Sequence, residues 1–250
     1  GTINNVRKVK EIGNIARETK TPLRIGFNVG SVEKKILKKY GKPNADAMVE
    51  SALYYVKLFE DIGWTELKVS LKASDIFQTV EAYKKFSDRS DYPLHIGITE
   101  AGPVFSGVIK SSIGIGILLY EGIGDTIRVS LTGNPVLEVV AAYHILRSMG
   151  LRKRGINIIS CPTCGRCKTN LMEIVEDFEK ETGHFEGHLN VAIMGCEVNG
   201  PGEAKEADIG IAFGANKAVL FSKGVVIRNN IPKEIAKDLL KEEIYNISTT

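Results

Sequence analysis

The sequence predicts an α/β protein: βαβ units over residues 1–153, making a partial TIM (β/α) barrel or one small open sheet, followed by a small α/β domain over residues 154–250. Three observations carry this reading. Short Ile/Val/Leu-rich runs alternate with amphipathic helical patterns through the first part, polar residues gather on those runs, and all four cysteines fall between positions 161 and 196. Strand–helix alternation implies right-handed βαβ units and a parallel sheet.

The first residues, Gly1 to Asn5, carry no Met and no signal or transit pattern before a helix-like stretch begins. The expectation is that the chain starts inside a longer protein. Strands are expected at 23–28, 67–72, 94–100 and 126–132, as β-branched and Leu-rich runs ending in polar residues. Between them, Val49, Leu53 and Val56 share a helical face, as do Ile76, Val80 and Tyr83, then Val136, Val139, Tyr143 and Leu146. Asn134 before Pro135 reads as a helix start. Four such units make half of an eight-stranded barrel or one small open sheet.

Polar residues are expected at the C-terminal strand ends: Arg24 and Asn28, Lys72 and Ser74, Glu100, Arg128 and Ser130. Barrel enzymes place their chemistry on that rim. Any one of these side chains could simply cap the sheet, but the shared basic bias of Arg24, Lys72 and Arg128 points to an anionic ligand such as a phosphate.

The basic segment 152–155 reads as a linker. Beyond it come a strand at 156–160, the CxxC at 161–164, a helix at 170–182, a strand at 191–194 and the Cys196 loop. A strand at 208–212, a hairpin through 218–221 and 225–228, and a helix at 233–243 complete the unit. With 43% hydrophobic and 25% charged residues, the composition is that of an ordinary globular protein. A net charge of +3 is too small to argue for nucleic acid, and no apolar run approaches the roughly 20 residues of a membrane span. Clustered cysteines favour metal ligation in a reducing compartment over a secreted disulfide framework.

Several readings of the cysteines compete. Cys164, Cys167, His184 and His188 approach a zinc-finger spacing, but Gly183 should end the helix before His184, and Cys161 and Cys196 would stand idle. A ferredoxin-like run would use Cys161, Cys164 and Cys167 with Cys196 as the fourth ligand. A thiol–disulfide CxxC would not need Cys196. A further arrangement joins Cys161, Cys164 and Cys196 with Glu203, which lies beyond a Gly-Pro-Gly turn and can fold back toward the same metal. Three thiolates and one weak carboxylate describe a reactive cluster. His95 and His144 read as ordinary sheet and helix residues.

The motifs CPTCGR at 161–166 and MGCEVNGPGEA at 194–204 resemble the two cluster motifs of the 4-hydroxy-3-methylbut-2-enyl diphosphate synthase family, which acts in the non-mevalonate isoprenoid pathway. The resemblance extends to RIGFNVGS at 24–31, KASD at 72–75, LHIGITEAG at 94–102 and GIGDTIRVSLT at 122–132. It implies an iron–sulfur oxidoreductase that reductively opens 2-C-methyl-D-erythritol 2,4-cyclodiphosphate. It also implies a [4Fe–4S] cluster on Cys161, Cys164 and Cys196, with Glu203 as the exchangeable ligand. The diphosphate would be held by Arg24, Asn28, Lys72, Arg128 and Ser130, and Glu100 would protonate the departing hydroxyl.

The family's small domain is similar to the cluster domain of sulfite and nitrite reductases. Its partners imply ferredoxin or flavodoxin as electron donor and a homodimer whose cluster domain closes over the partner's barrel. The resemblance also implies a cytoplasmic or plastid location. Two departures stand out. Cys167 adds a thiol the family does not require, and the family barrel has eight strands of which this chain matches the last four. The rival expectation is therefore a non-catalytic metal-binding fragment.

Overall fold

The computed structural model describes residues 5–248. Residues 1–4, most of the Gly1–Asn5 segment expected to continue a longer protein, and residues 249–250 lie outside that range. By internal packing the chain divides into two units, one ending at Leu151 and the other starting at Arg152.

The first unit runs α1 (Val6–Thr19), β1 (Leu23–Asn28), a short 3-10 turn (Val29–Ser31), α2 (Lys34–Tyr40), α3 (Ala45–Glu60), β2 (Leu67–Lys72), α4 (Ile76–Ser87), β3 (His95–Ile96), α5 (Val104–Tyr120), β4 (Thr126–Ile127) and α6 (Pro135–Ser148). β1 and β2 pair in parallel from Leu23↔Leu67 to Asn28↔Lys72. β3 and β4 pair in parallel, and a single bridge from Val69 to Leu94 joins the two halves. The described strands form no closed barrel.

Helices start where side chains satisfy orphan N–H groups: Asn44 accepts from Ala47, Asp75 from Gln78 and Asn134 from Val136. Met48, Val49 and Ala52 of α3 are fully buried against the sheet, as are Tyr83 and Phe86 of α4. Burying each of the larger side chains is worth roughly 1.5–3 kcal/mol.

Several expectations need correction. The strands expected at 94–100 and 126–132 shorten to two residues each. Gly97 has φ +157°, where an added Cβ would fall on the Arg128 carbonyl oxygen, and Glu100 is left-handed at φ 53°. The chain therefore leaves the extended region directly after Ile96. On α4 the buried row is Thr79, Ala82, Tyr83 and Phe86, while Ile76 and Val80 are half-buried. On α6 only Ala141 and Ile145 are buried; Val136, Val139 and Tyr143 face solvent. Helix α5 was not anticipated. Its Gly107 and Gly114 lie where a Cβ would strike Leu131 and Ile98, so small residues permit close packing there.

The second unit is one five-stranded sheet with helices against it. It runs β5 (Gly155–Ser160), α7 (Leu171–Thr182), β6 (His188–Met194), the single turn α8 (Gly200–Glu203), β7 (Ile209–Phe213), β8 (Lys217–Ser222), β9 (Val225–Pro232) and α9 (Lys233–Ser248). β5, β6 and β7 are parallel, whereas β8 and β9 continue the sheet antiparallel. Phe178, Val191, Ile193, Ile211, Leu220 and Leu240 centre its core. No described helix is long and apolar enough to cross a membrane.

Candidate active site

In β1, Ile25 and Phe27 are buried, while Arg24, Gly26 and Asn28 alternate onto the open face. In β2 that face carries Lys68, Ser70 and Lys72, in register with Arg24, Gly26 and Asn28. A cleft of about 280 Å³ opens there, lined by Arg24, Asn28, Ser31, Ser70, Lys72, Thr99, Arg128 and Ser130 among others. It thus gathers Arg24, Asn28, Lys72, Arg128 and Ser130. Arg24 does not sit at a C-terminal strand end as expected: it pairs with Lys68 near the start of β1 and lines the cleft through the face it shares with Asn28.

Local bonds fix the cleft walls. The Ser31 hydroxyl donates to the Asn28 carbonyl and accepts from the Asn28 N–H (2.9 and 2.7 Å), folding the chain sharply beyond β1. The Tyr83 hydroxyl accepts from Leu71 N–H at 3.0 Å and donates to the His95 carbonyl at 2.7 Å, tying β2 to β3 beside Lys72. Because Gly97 has no side chain, its backbone can lie beside both Arg128 and the Lys72 ammonium.

Cations dominate the electrostatics. Burial first, then the Arg24 and Arg128 charges, bring Lys72 down to about 8. Burial and the charges of Lys72 and Arg24 hold His95 down to about 4, and its Nδ1 shares a hydrogen bond with Thr126 at 2.8 Å. Sequence reasoning missed Glu138. In the first turn of α6, it accepts from Leu131 N–H at 2.8 Å and stands 4.0 Å from the Arg128 Nε. An acid in a helix's first turn reads as a dipole partner, so only the fold reveals this contact. Glu100 is exposed and does not line the cleft; its left-handed backbone costs roughly 1–2 kcal/mol.

In the second unit, Cys161 follows β5 and Cys196 follows β6, on adjacent loops because Ser160 pairs with Ile193. Gly195 N–H donates to the Cys161 sulfur at 3.3 Å. The Cys167 sulfur lies 2.5 Å from where a Gly195 Cβ would be, and it donates to the Thr169 carbonyl at 3.3 Å. Tight turns shape the CxxC: Cys164 N–H bonds the Pro162 carbonyl, and Cys167 N–H the Cys164 carbonyl. Cys164 is exposed, and the Arg166 backbone N–H, with its guanidinium, favours the thiolate. Glu203 is exposed on α8. Among the described residues no three His, Cys, Asp or Glu side chains stand together as a metal cage. The zinc spacing also dissolves: helix α7 stops at Thr182, His184 bonds the Tyr245 hydroxyl at 2.9 Å, and His188 lies within β6.

The GcpE TIM-barrel domain matches residues 1–143, and the GcpE protein C-terminal domain matches residues 157–246. The chain belongs to the GcpE family. A relative from Geobacter sulfurreducens, named 4-hydroxy-3-methylbut-2-en-1-yl diphosphate synthase (flavodoxin), is 54% identical over 247 residues, covering 99% of this chain and 70% of the relative. Relatives of the same name from Thermodesulfovibrio yellowstonii and a Sulfurihydrogenibium species are each 52% identical over 242 residues, covering 97% of this chain and 69% of the relative. This is the family that the cysteine and rim motifs resemble.

Proposed function

We propose that the chain carries out the reductive opening of 2-C-methyl-D-erythritol 2,4-cyclodiphosphate to 4-hydroxy-3-methylbut-2-enyl diphosphate, with flavodoxin as the electron donor. The observation that carries this reading is the convergence of Arg24, Lys72 and Arg128 with Asn28 and Ser130 on one cleft. Three cations with two neutral hydrogen-bonding side chains suit a diphosphate. The relatives' shared name supplies the substrate and the donor. In overall balance, counted on the fully protonated acids, the substrate takes up two electrons and two protons, a ring C–O bond breaks, and one water leaves.

The cysteine loops fit an iron–sulfur cluster: they offer soft thiolate donors, and a backbone N–H is already aimed at the Cys161 sulfur. Cys161, Cys164 and Cys196 would hold a [4Fe–4S] cluster with Glu203 as the releasable ligand, supplying electrons one at a time. Arg24, Lys72 and Arg128 would bind and orient the diphosphate, and Glu100 would deliver the proton to the departing hydroxyl. The first unit would serve as the substrate half, the last four strands of an eight-stranded barrel. The second would be the cluster domain, of the sulfite and nitrite reductase type. A homodimer with a shared site completes the reading, in a cytoplasm reducing enough to keep the thiols free. The plastid alternative finds no support among the bacterial relatives.

Anaerobic reconstitution tests the proposal. A brown protein with about four irons per chain, and product formed only when substrate and a reduced one-electron donor such as flavodoxin are both present, is the expected result. A colourless protein binding one zinc would favour the non-catalytic reading. Undiminished turnover by Glu203→Cys would rule out the releasable ligand.

A further inference from the structure

The three lysines of α9 at positions 233, 237 and 241 share one helical face by their spacing of four. Two of them are neutralised: Glu181 accepts from Lys237 and Lys241, and Asp177 and Asp238 add further ion pairs. Lys233 differs. It donates to the Lys168 carbonyl at 2.7 Å, which places its ammonium on the cysteine loop. Lys168 in turn bonds the Gly195 carbonyl through its N–H at 3.3 Å, beside Cys196. Arg166 is exposed and stands two residues beyond the exposed Cys164. Among the described residues, Arg166, Lys168 and Lys233 have no carboxylate within ion-pair distance. The same helix face is therefore charge-balanced away from the cysteines and cationic beside them.

We propose that Arg166, Lys168 and Lys233 form the docking face for an acidic, flavodoxin-type electron carrier, seated over the exposed Cys164 turn. This rests on the functional reading above and adds the surface that reading lacks. Unpaired cations around an exposed redox edge select a partner of opposite charge and speed its encounter, and salt weakens both effects. Each docking oxidises the carrier by one electron, so two dockings supply the two electrons the substrate takes up.

The test measures the dissociation constant of oxidised flavodoxin for the full chain by calorimetry, at low and high ionic strength. It compares Lys168→Glu/Lys233→Glu with Lys8→Glu/Lys10→Glu, two exposed positions on α1 with the same change in net charge. Circular dichroism checks folding, and Lys168→Gln/Lys233→Gln provides a milder second variant. At low salt the docking variant should bind about tenfold more weakly and the Gln variant by an intermediate factor, with the differences closing as the Debye length shrinks. The α1 variant should stay within about twofold of the parent. Equal weakening by both Glu pairs, or self-association in place of carrier binding, overturns the proposal. Turnover driven by reduced methyl viologen should be unchanged in the docking variant. If the parent protein binds flavodoxin but opens no cyclic diphosphate with viologen, the functional reading fails while the binding data still decide the surface.

Discussion

Tyr83→Phe removes one oxygen from the centre of the first unit and leaves the ring's volume intact. Tyr83 is fully buried. Its hydroxyl serves two backbone groups, the Leu71 N–H at 3.0 Å and the His95 carbonyl at 2.7 Å. Deleting it orphans one buried donor and one part-buried acceptor, and each such group costs about 1–3 kcal/mol. The expected loss is about 3 kcal/mol, a large share of the 5–15 kcal/mol typical of a folded domain. Urea unfolding followed by circular dichroism should show the midpoint falling with the m-value unchanged. Because Leu71 precedes Lys72, pyrophosphate affinity should fall as well. A change under about 0.5 kcal/mol, too small for two orphaned groups, would refute the idea that this hydroxyl couples β2 to β3.

Four further outcomes follow from the same structure. His95 is neutral in the fold, with its pKa lowered from 6.5 to about 4, so the unfolded chain takes up its proton first; stability should decline as pH falls from 6.5 toward 4, and His95→Gln should flatten that decline in unfolding measured across pH. Lys72 loses its proton near 8, so calorimetric pyrophosphate affinity should drop as pH rises through about 8, and Arg24→Met should move that drop upward because a repelling charge is gone. Glu138→Gln keeps an acceptor for Leu131 N–H and removes the carboxylate beside Arg128, so pyrophosphate binding should tighten modestly with stability held, whereas Glu138→Ala should also cost about 1–2 kcal/mol in urea unfolding. Gly195→Ala pushes a methyl onto the Cys167 sulfur and should lower iron bound per chain on reconstitution, with Cys167→Ala restoring it; an unchanged iron count would show that the loop yields freely.

Strand and helix periodicity made most of the architecture legible. β1 and β2 match their expected bounds because both are full parallel strands with one buried face. The next two strands are shorter than their composition suggests, because composition does not show where the backbone leaves the extended region, here at Gly97 and Glu100. Helix α5 was hidden by its glycines, which count against a helix in isolation and make sense only against Leu131 and Ile98. On α6 the apolar period located a helix, but Val136 and Val139, which it places on a packed face, are exposed. In the candidate site, charged residue types were visible along the chain. Register brought Arg24 into the cleft despite its place early in β1, and tertiary contact alone put Glu138 beside Arg128.

Among the described residues, the cleft's three cations have one carboxylate within ion-pair distance, Glu138, at 4.0 Å from the Arg128 Nε. Such a pocket attracts any compact polyanion, since point charges do not distinguish a ring from a chain. Ordinary phosphate, pyrophosphate and nucleotides would therefore compete for it. Assays run in phosphate buffer should understate affinity, and purified protein should carry cellular anions until they are dialysed away. Selection among diphosphates then falls to the shape of whatever closes over the cleft, leaving the charges to recruit and the walls to choose.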